Sequence, residues 1–280
     1  MYEILDRPQL HDPVLIVALD GWIDAGLAAA GTATHLQSTC EVSTVATFDT
    51  DLLLDHRARR PMMHIDDGEI TSLTWPHLEL RSGTDAAGHD VLFLVGSEPD
   101  HQWRAFADAV VGLALEFGVR LAVDLGAYPA PVAHTHPIGV VAPATPPALA
   151  AAVGHLPGRV DVPAGIAAVL ARRCAEAGIP AVGLWAQVPH YASAIPAPAA
   201  SLAHLAALER VAGLHFPTGD LPRKAAATTE HINALVAANP EHIAMVADLE
   251  RRPPATEGGA SISGDDLVAE VEEFLRDEGS

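Results

Sequence analysis

An α/β fold built on a sheet covered on both sides follows from three observations in this 280-residue chain. Short continuous apolar runs rich in branched residues recur, Val14–Leu19 first among them, as in strands buried on both faces. Helix-like segments alternate with these runs, as crossovers between parallel strands do. Polar, glycine-containing turns close the runs on their carboxyl side, where open α/β sheets carry their sites. The predicted architecture is three-layered: a mixed, mostly parallel central sheet flanked by helices, with a helical C-terminal part.

The elements follow in order. Val14–Leu19 ends in Asp20-Gly-Trp-Ile-Asp-Ala-Gly26, and the small residues of Ala25–Gln37 read as the next helix. Glu41–Phe48 reads as a second strand, exiting in Asp49-Thr-Asp51. Asp66-Asp-Gly68 between Met62–Ile65 and Glu69–Trp75 is a hairpin signal. Asp90–Val95 is a further buried strand. Ser97 and Asp100 have capping-box spacing ahead of a helix over about 100–117. In that helix Trp103, Phe106, Val110, Leu113 and Phe117 form one apolar stripe, closed by Gly118 as a left-handed cap. Arg120–Leu125 is the next strand and Gly126-Ala-Tyr-Pro its exit. Pro143–Leu156 reads as a loop leading into a short helix, Ala164–Ala177 as a helix ended by Gly178, and Ala181–Val188 as a strand. Helices are predicted at Ala199–Val211, Pro222–Ala238 and Pro240–Arg251, the last opened by an Asn239 cap with proline at the first helical position. Residues 1–252 thus form one α/β domain with 199–252 as a helical cap. Residues 253–264 are linker-like in composition, and 265–280 an acidic amphipathic helix whose apolar face serves either its own chain or a partner.

The bulk numbers exclude several classes. Thirty-six acidic against 16 basic residues give a formal net charge of −20, which phosphate backbones repel, so no nucleic-acid partner is expected. The acidity reads as a solubility device, with a salt-adapted host as the alternative. No apolar run approaches the roughly 20 residues of a membrane span, and Met1-Tyr-Glu-Ile-Leu-Asp has no signal-peptide pattern. Cys40 and Cys174 lack metal or redox spacing and read as reduced thiols. A cytoplasmic location is expected, with no membrane partner.

The strand exits collect Asp20, Trp22, Asp24, Asp49, Asp51, Asp55, Arg57, Arg60, Glu98, Tyr128, His134, His136, His190 and Tyr191. Carboxylates, histidines and arginines converging on one edge support general acid/base chemistry or anion binding. The ligand-binding candidates are Trp22 as a stacking surface and Asp24, Asp51, Glu98, His134 and His136. Their bland alternatives are helix N-terminal charge for Asp24 and Glu98 and loop hydrogen bonding for the others. His134-Thr-His136 would pair two imidazoles on an extended strand, but no third ligand stands at metal spacing, so no metal and no cofactor is expected. Neither a G-x-S-x-G elbow nor a phosphate-binding G-x-x-x-x-G-K-[ST] loop is present, and no residue is assigned a catalytic role.

Taken in order, Gly21-Trp-Ile-Asp-Ala-Gly26, Asp49-Thr-Asp51, Arg60-Pro61, Trp75-Pro76, Gly96-Ser-Glu-Pro99, Trp103, Gly126 and His134-Thr-His-Pro137 resemble the proteasome assembly chaperone family named after the second eukaryotic subunit. The resemblance spans about 14–251, and Gly264–Arg276 is similar to the acidic tail helix of the actinobacterial branch. It implies a nucleoside-phosphorylase-like fold, a homo-oligomer (a trimer in the actinobacterial branch) and, by analogy with eukaryotic members, a proteasome-related partner. Fold likeness to phosphorylases does not carry their activity. The chain departs from the family pattern at Ile23, usually Asn; Leu27, usually polar; His136, usually Arg; and Asp161-Val-Pro-Ala-Gly165, usually Gly-Pro-Thr-Gly. Gly279 stands where ring-docking chaperones carry a tyrosine, so docking by tail insertion is not expected. Two readings result. The first is a non-enzymatic homo-oligomer acting through protein contacts. The second is a protein that binds a nucleoside-like or anionic small molecule at the strand-end edge, or a phosphorylase-like enzyme using it.

Overall fold

A computed structural model of the chain describes residues 1–21, 23–154, 159 and 161–252. Trp22, the 253–264 linker and the 265–280 tail lie outside the described residues. Among the described residues eleven strands form: β1 Tyr2–Ile4, β2 Val14–Asp20, β3 Ser43–Phe48, β4 Met62–Asp66, β5 Glu69–Thr74, β6 Leu78–Thr84, β7 Asp90–Ser97, β8 Leu121–Ala130, β9 Val140–Val141, β10 Ala144–Thr145 and β11 Ala181–Pro189. The helices are α1 Ala28–Ser38, α2 Thr50–Leu53, α3 Trp103–Glu116, α4 Ile166–Glu176, α5 Pro198–Ala212, α6 Leu221–Ala237 and α7 Pro240–Glu250.

One sheet runs in the order β1-β3-β6-β7-β2-β8-β11-β10, with β9 also on β11. Its centre, β7-β2-β8-β11, is parallel, and its flanks are antiparallel. The centre is parallel because β2, β7 and β8 are apolar on both sides and need cover on both. Alternation along β2 shows the two layers directly. Leu15 and Val17 pack with Leu92, Leu94, Phe106, Val110, Ile166 and Leu170, under α3 and α4. Val14, Ile16 and Ala18 pack with Phe93, Val123, Leu36, Leu205 and Leu208, under α1 and α5. Burying each large aliphatic or phenyl side chain contributes about 1.5–3 kcal/mol. Helix α6 packs on α5, and α7 on α6, outside the sheet layers.

Strand β3 is antiparallel to β6, and β6 to β7, so β3 points the same way as the parallel centre. The carboxyl ends of β2, β3, β7, β8 and β11 therefore open on one rim, as the sequence predicts.

Several elements differ from expectation. Strands β1, β6, β9 and β10 are additional, β10 lying inside the stretch read as the 143–156 loop. Strand β6 was hidden because Glu79 and Arg81 give it a loop-like polarity, although they pair with each other at 2.8 Å. Strand β8 continues through Gly126-Ala-Tyr-Pro, which is part of the ladder with β11 rather than an exit. No capping box opens α3. Asp100 instead accepts the Asp55 N–H at 2.7 Å and pairs with Arg59, and the helix starts after Gln102 in a left-handed conformation (φ 59°). The hairpin forms as expected, with Asp67 (φ 46°) and Gly68 (φ 87°) making its left-handed turn. Among the described residues it pairs with no other strand, and every residue of β4 and β5 is exposed.

Candidate functional site

A cavity of about 490 Å³ lies at the carboxyl rim of the parallel centre. Its floor is β8 and β11, one wall is the turn after β2, and its roof is the Asp161–Gly165 segment with the first turn of α4. The volume falls within the range of about 300–1,000 Å³ usual for small-ligand sites.

Strand β2 delivers Asp24 to the wall. Gly26 and Leu27 follow with φ of 64° and 48°, a double left-handed step that turns the chain into α1. Through this step the Asp24 carboxylate accepts the Ala29 and Ala30 N–H groups at 2.8 and 3.0 Å, satisfying donors the helix start leaves free. Burial still raises its pKa, against those bonds.

Strand β7 delivers Glu98. The Glu98 N–H donates to the Asp20 carbonyl at 2.6 Å, fixing the residue over the end of β2. Its Oε1 accepts the Ile166 N–H at 2.6 Å, at the amino end of α4. Only 7% of the residue is exposed, and burial outweighs both this bond and the nearby Arg59, so its pKa too is raised.

Asp124 lies in the middle of β8, on the cavity floor. It is half-buried, reached through the cavity and enclosed by apolar neighbours, and burial pushes its pKa up to about 7. The Trp185 indole N–H reaches it at 3.4 Å, and the charge of Glu98 adds to the upward push. Trp185 lies over two glycines. A Cβ on Gly126 would come within 3.0 Å of the indole, and one on Gly183 within 2.9 Å. Tyr128 completes the floor. Its buried hydroxyl accepts from the Gln187 amide at 2.8 Å, and burial pushes its pKa up to about 12.

The structure brings Asp24 and Glu98 together at this cavity and places the other described candidates elsewhere. Asp51, on α2, sits at 3.0 Å from the His56 ring, beside a shallow hollow shared with Asp49 and Trp75. His134 bonds the Tyr191 hydroxyl at 2.7 Å and the Asn233 side chain at 2.9 Å, tying the loop after β8 to α6. His136 lies two residues further along that loop. Among the described residues no group of three or more His, Cys, Asp or Glu side chains is arranged to hold a metal. No Lys, Arg or His is among the described residues lining the cavity, so no cationic side chain there is placed to hold an anion.

Sequence reasoning missed Asp124 and Trp185. Asp124 carried a signal, since it is a lone acid inside the apolar run Leu121-Ala-Val-Asp-Leu125. Trp185 carried none, because its position depends on the β8–β11 register that sets it beside Gly126.

Known proteins share this architecture. A Mycobacterium tuberculosis protein of unknown function is 34% identical with a TM-score of 0.88, covering 98% of this chain and 96% of that one. A Mycobacterium tuberculosis proteasome-assembly chaperone homologue is 33% identical (TM-score 0.78; 85% and 100% covered). A PAC2 family protein from Streptomyces avermitilis is 35% identical (TM-score 0.76; 84% and 100% covered). No functionally curated protein matches the chain. The profile of the PAC2 family matches residues 18–236, from the end of β2 to α6. The chain belongs to the PAC2 family.

Proposed function

We propose that the protein is a non-enzymatic, chaperone-like homo-oligomer, a trimer, that works in the cytoplasm through protein–protein contacts with a proteasome-related partner. The observation that carries this reading is the β4–β5 hairpin. Met63 lies opposite Leu73 and Ile65 opposite Ile70, so all four side chains share one face. Each is 46–60% exposed, and Met62 and Trp75 add further exposed apolar surface. A two-stranded hairpin without a covered face is marginal in water. Contiguous exposed apolar surface of this kind marks a contact site. Covering it with a further copy of the chain supplies the missing layer. Membership of the PAC2 family supports the same reading, as does similarity to a protein described as a proteasome-assembly chaperone homologue.

The test mixes the purified full-length chain with proteasome α-subunits of the species that encodes it and weighs the products by native mass spectrometry. A complex containing several copies of the chain together with α-subunits is expected. Free α-subunits beside an unchanged chain would contradict the proposed partner.

A further inference from the structure

The cavity at the sheet rim has a chemistry that the contact reading does not use. Its walls are mostly apolar, and its charged lining is entirely acidic among the described residues. Glu98 is more than nine-tenths buried and spends Oε1 on the α4 N-terminus, while its Oε2 has no hydrogen-bond partner among the described residues. Asp124 offers a second oxygen in the same state, since only Oδ2 receives the Trp185 N–H. Arg59, the nearest fixed cation to Glu98, is engaged by Asp100 and does not line the cavity. Two carboxyl groups, each with an oxygen lacking a hydrogen-bond partner among the described residues and both lining a mostly apolar hollow, match a group that carries several donors and a positive charge. An ammonium has three donors and no acceptor.

We propose that this cavity binds a small primary amine, its ammonium group held between Glu98 and Asp124 and its apolar body against Ile23, Ile166 and Trp185. The charge-assisted bonds to carboxylate fix the cation, and the indole face adds a cation–π contact. A carboxylate or phosphate in the same place meets acidic side chains and, among the described residues, no cationic one. Ionisation of Asp124 as pH rises through about 7 adds a negative charge to the cavity, so amine affinity increases across that interval. Glu98, Asp24 and Asp161 also face the cavity, and Arg59 lies behind Glu98.

The experiment is calorimetric titration of the full-length chain with phenethylamine, tryptamine and cadaverine. Phenethyl alcohol and phenylacetate serve as the neutral and anionic counterparts. At least one of the amines is expected to bind saturably and raise the Tm, with both counterparts about tenfold or more weaker. Glu98→Gln keeps an acceptor for the Ile166 N–H and is expected to lower amine affinity about tenfold. Asp124→Asn is the second variant and should abolish the strengthening through neutral pH. Absence of binding by all three amines at millimolar concentration would overturn the proposal. Equal binding of the alcohol or the acid would do the same, as would unchanged amine affinity in both variants.

Discussion

Asp124 and His204 titrate in opposite senses within a few residues of the same sheet centre. His204, on α5, is fully buried. Its Nε2–H reaches the carbonyls of Gly126 and Leu184, each at 3.1 Å, and its Nδ1 lies 3.0 Å from the Thr32 hydroxyl. Burial disfavours the charged ring and lowers its pKa to about 4. The unfolded chain takes up the histidine proton first as pH falls, so His204 costs stability between about 6.5 and about 4. Asp124 is the reverse case. The folded chain holds its proton up to about 7 against 3.8 for a free side chain, so its contribution declines as pH rises through that window. Burial of Glu98 and Asp24 acts in the same direction as that of Asp124. Urea unfolding across acid and neutral pH checks this. Asp124→Asn should make stability rise more steeply with pH than in the wild type, because the opposing contribution is gone. Superimposable pH profiles would contradict the burial of the Asp124 proton. At this scale the sequence was partly readable. A lone aspartate in an apolar strand is visible as a residue, whereas Trp185 resting over Gly126 and Gly183 exists only once two strands are in register.

At the scale of elements, the turns after the strands matter most. The Asp24 carboxylate is the only side-chain acceptor at the start of α1 among the described residues, bonding two N–H groups past a double left-handed step. Asp24→Ala should therefore lower stability by about 1 kcal/mol, read as a fall in Tm, with Asp24→Asn retaining part of it. Gly96, at the end of β7, has a φ of 117°, and a Cβ there would run into the His77 backbone. Gly96→Ala should cost more than the Asp24 variant, about 2 kcal/mol or above, because backbone must move rather than a side chain. Equal Tm values for Gly96→Ala and wild type would show that the rim tolerates a different path. The elements most legible in the sequence were those governed by local rules. These were the apolar runs of β2, β7 and β11, the Gly118 and Gly178 helix ends, the Asn239 cap and the Asp67-Gly68 turn. Long-range partners overrode local signals elsewhere. The Asp55 N–H and Arg59 take Asp100 from its capping box, and β1 exists only because β3 offers it an edge.

For the molecule as a whole, charge and apolar surface oppose each other. A net charge of −20 makes copies of the chain repel, so the proposed association rests on the face formed by Met63, Ile65, Ile70 and Leu73. Added salt screens the repulsion, so assembly should tighten with ionic strength, which dilution series at low and high salt would register. A stronger complex at low salt would point to ion pairs instead. The common rim was foreseeable from alternating strands and helices; the hairpin's isolation was not, because its turn signal says nothing about what lies beneath it. Sedimentation equilibrium of the full-length chain beside an Ile65→Asp/Ile70→Asp variant, which changes no buried side chain, addresses the association directly. The wild type should sediment at a multiple of 29.2 kDa and the variant at 29.2 kDa. A wild type that stays at the single-chain mass over the whole concentration range would contradict the account, as would a variant that assembles as the wild type does.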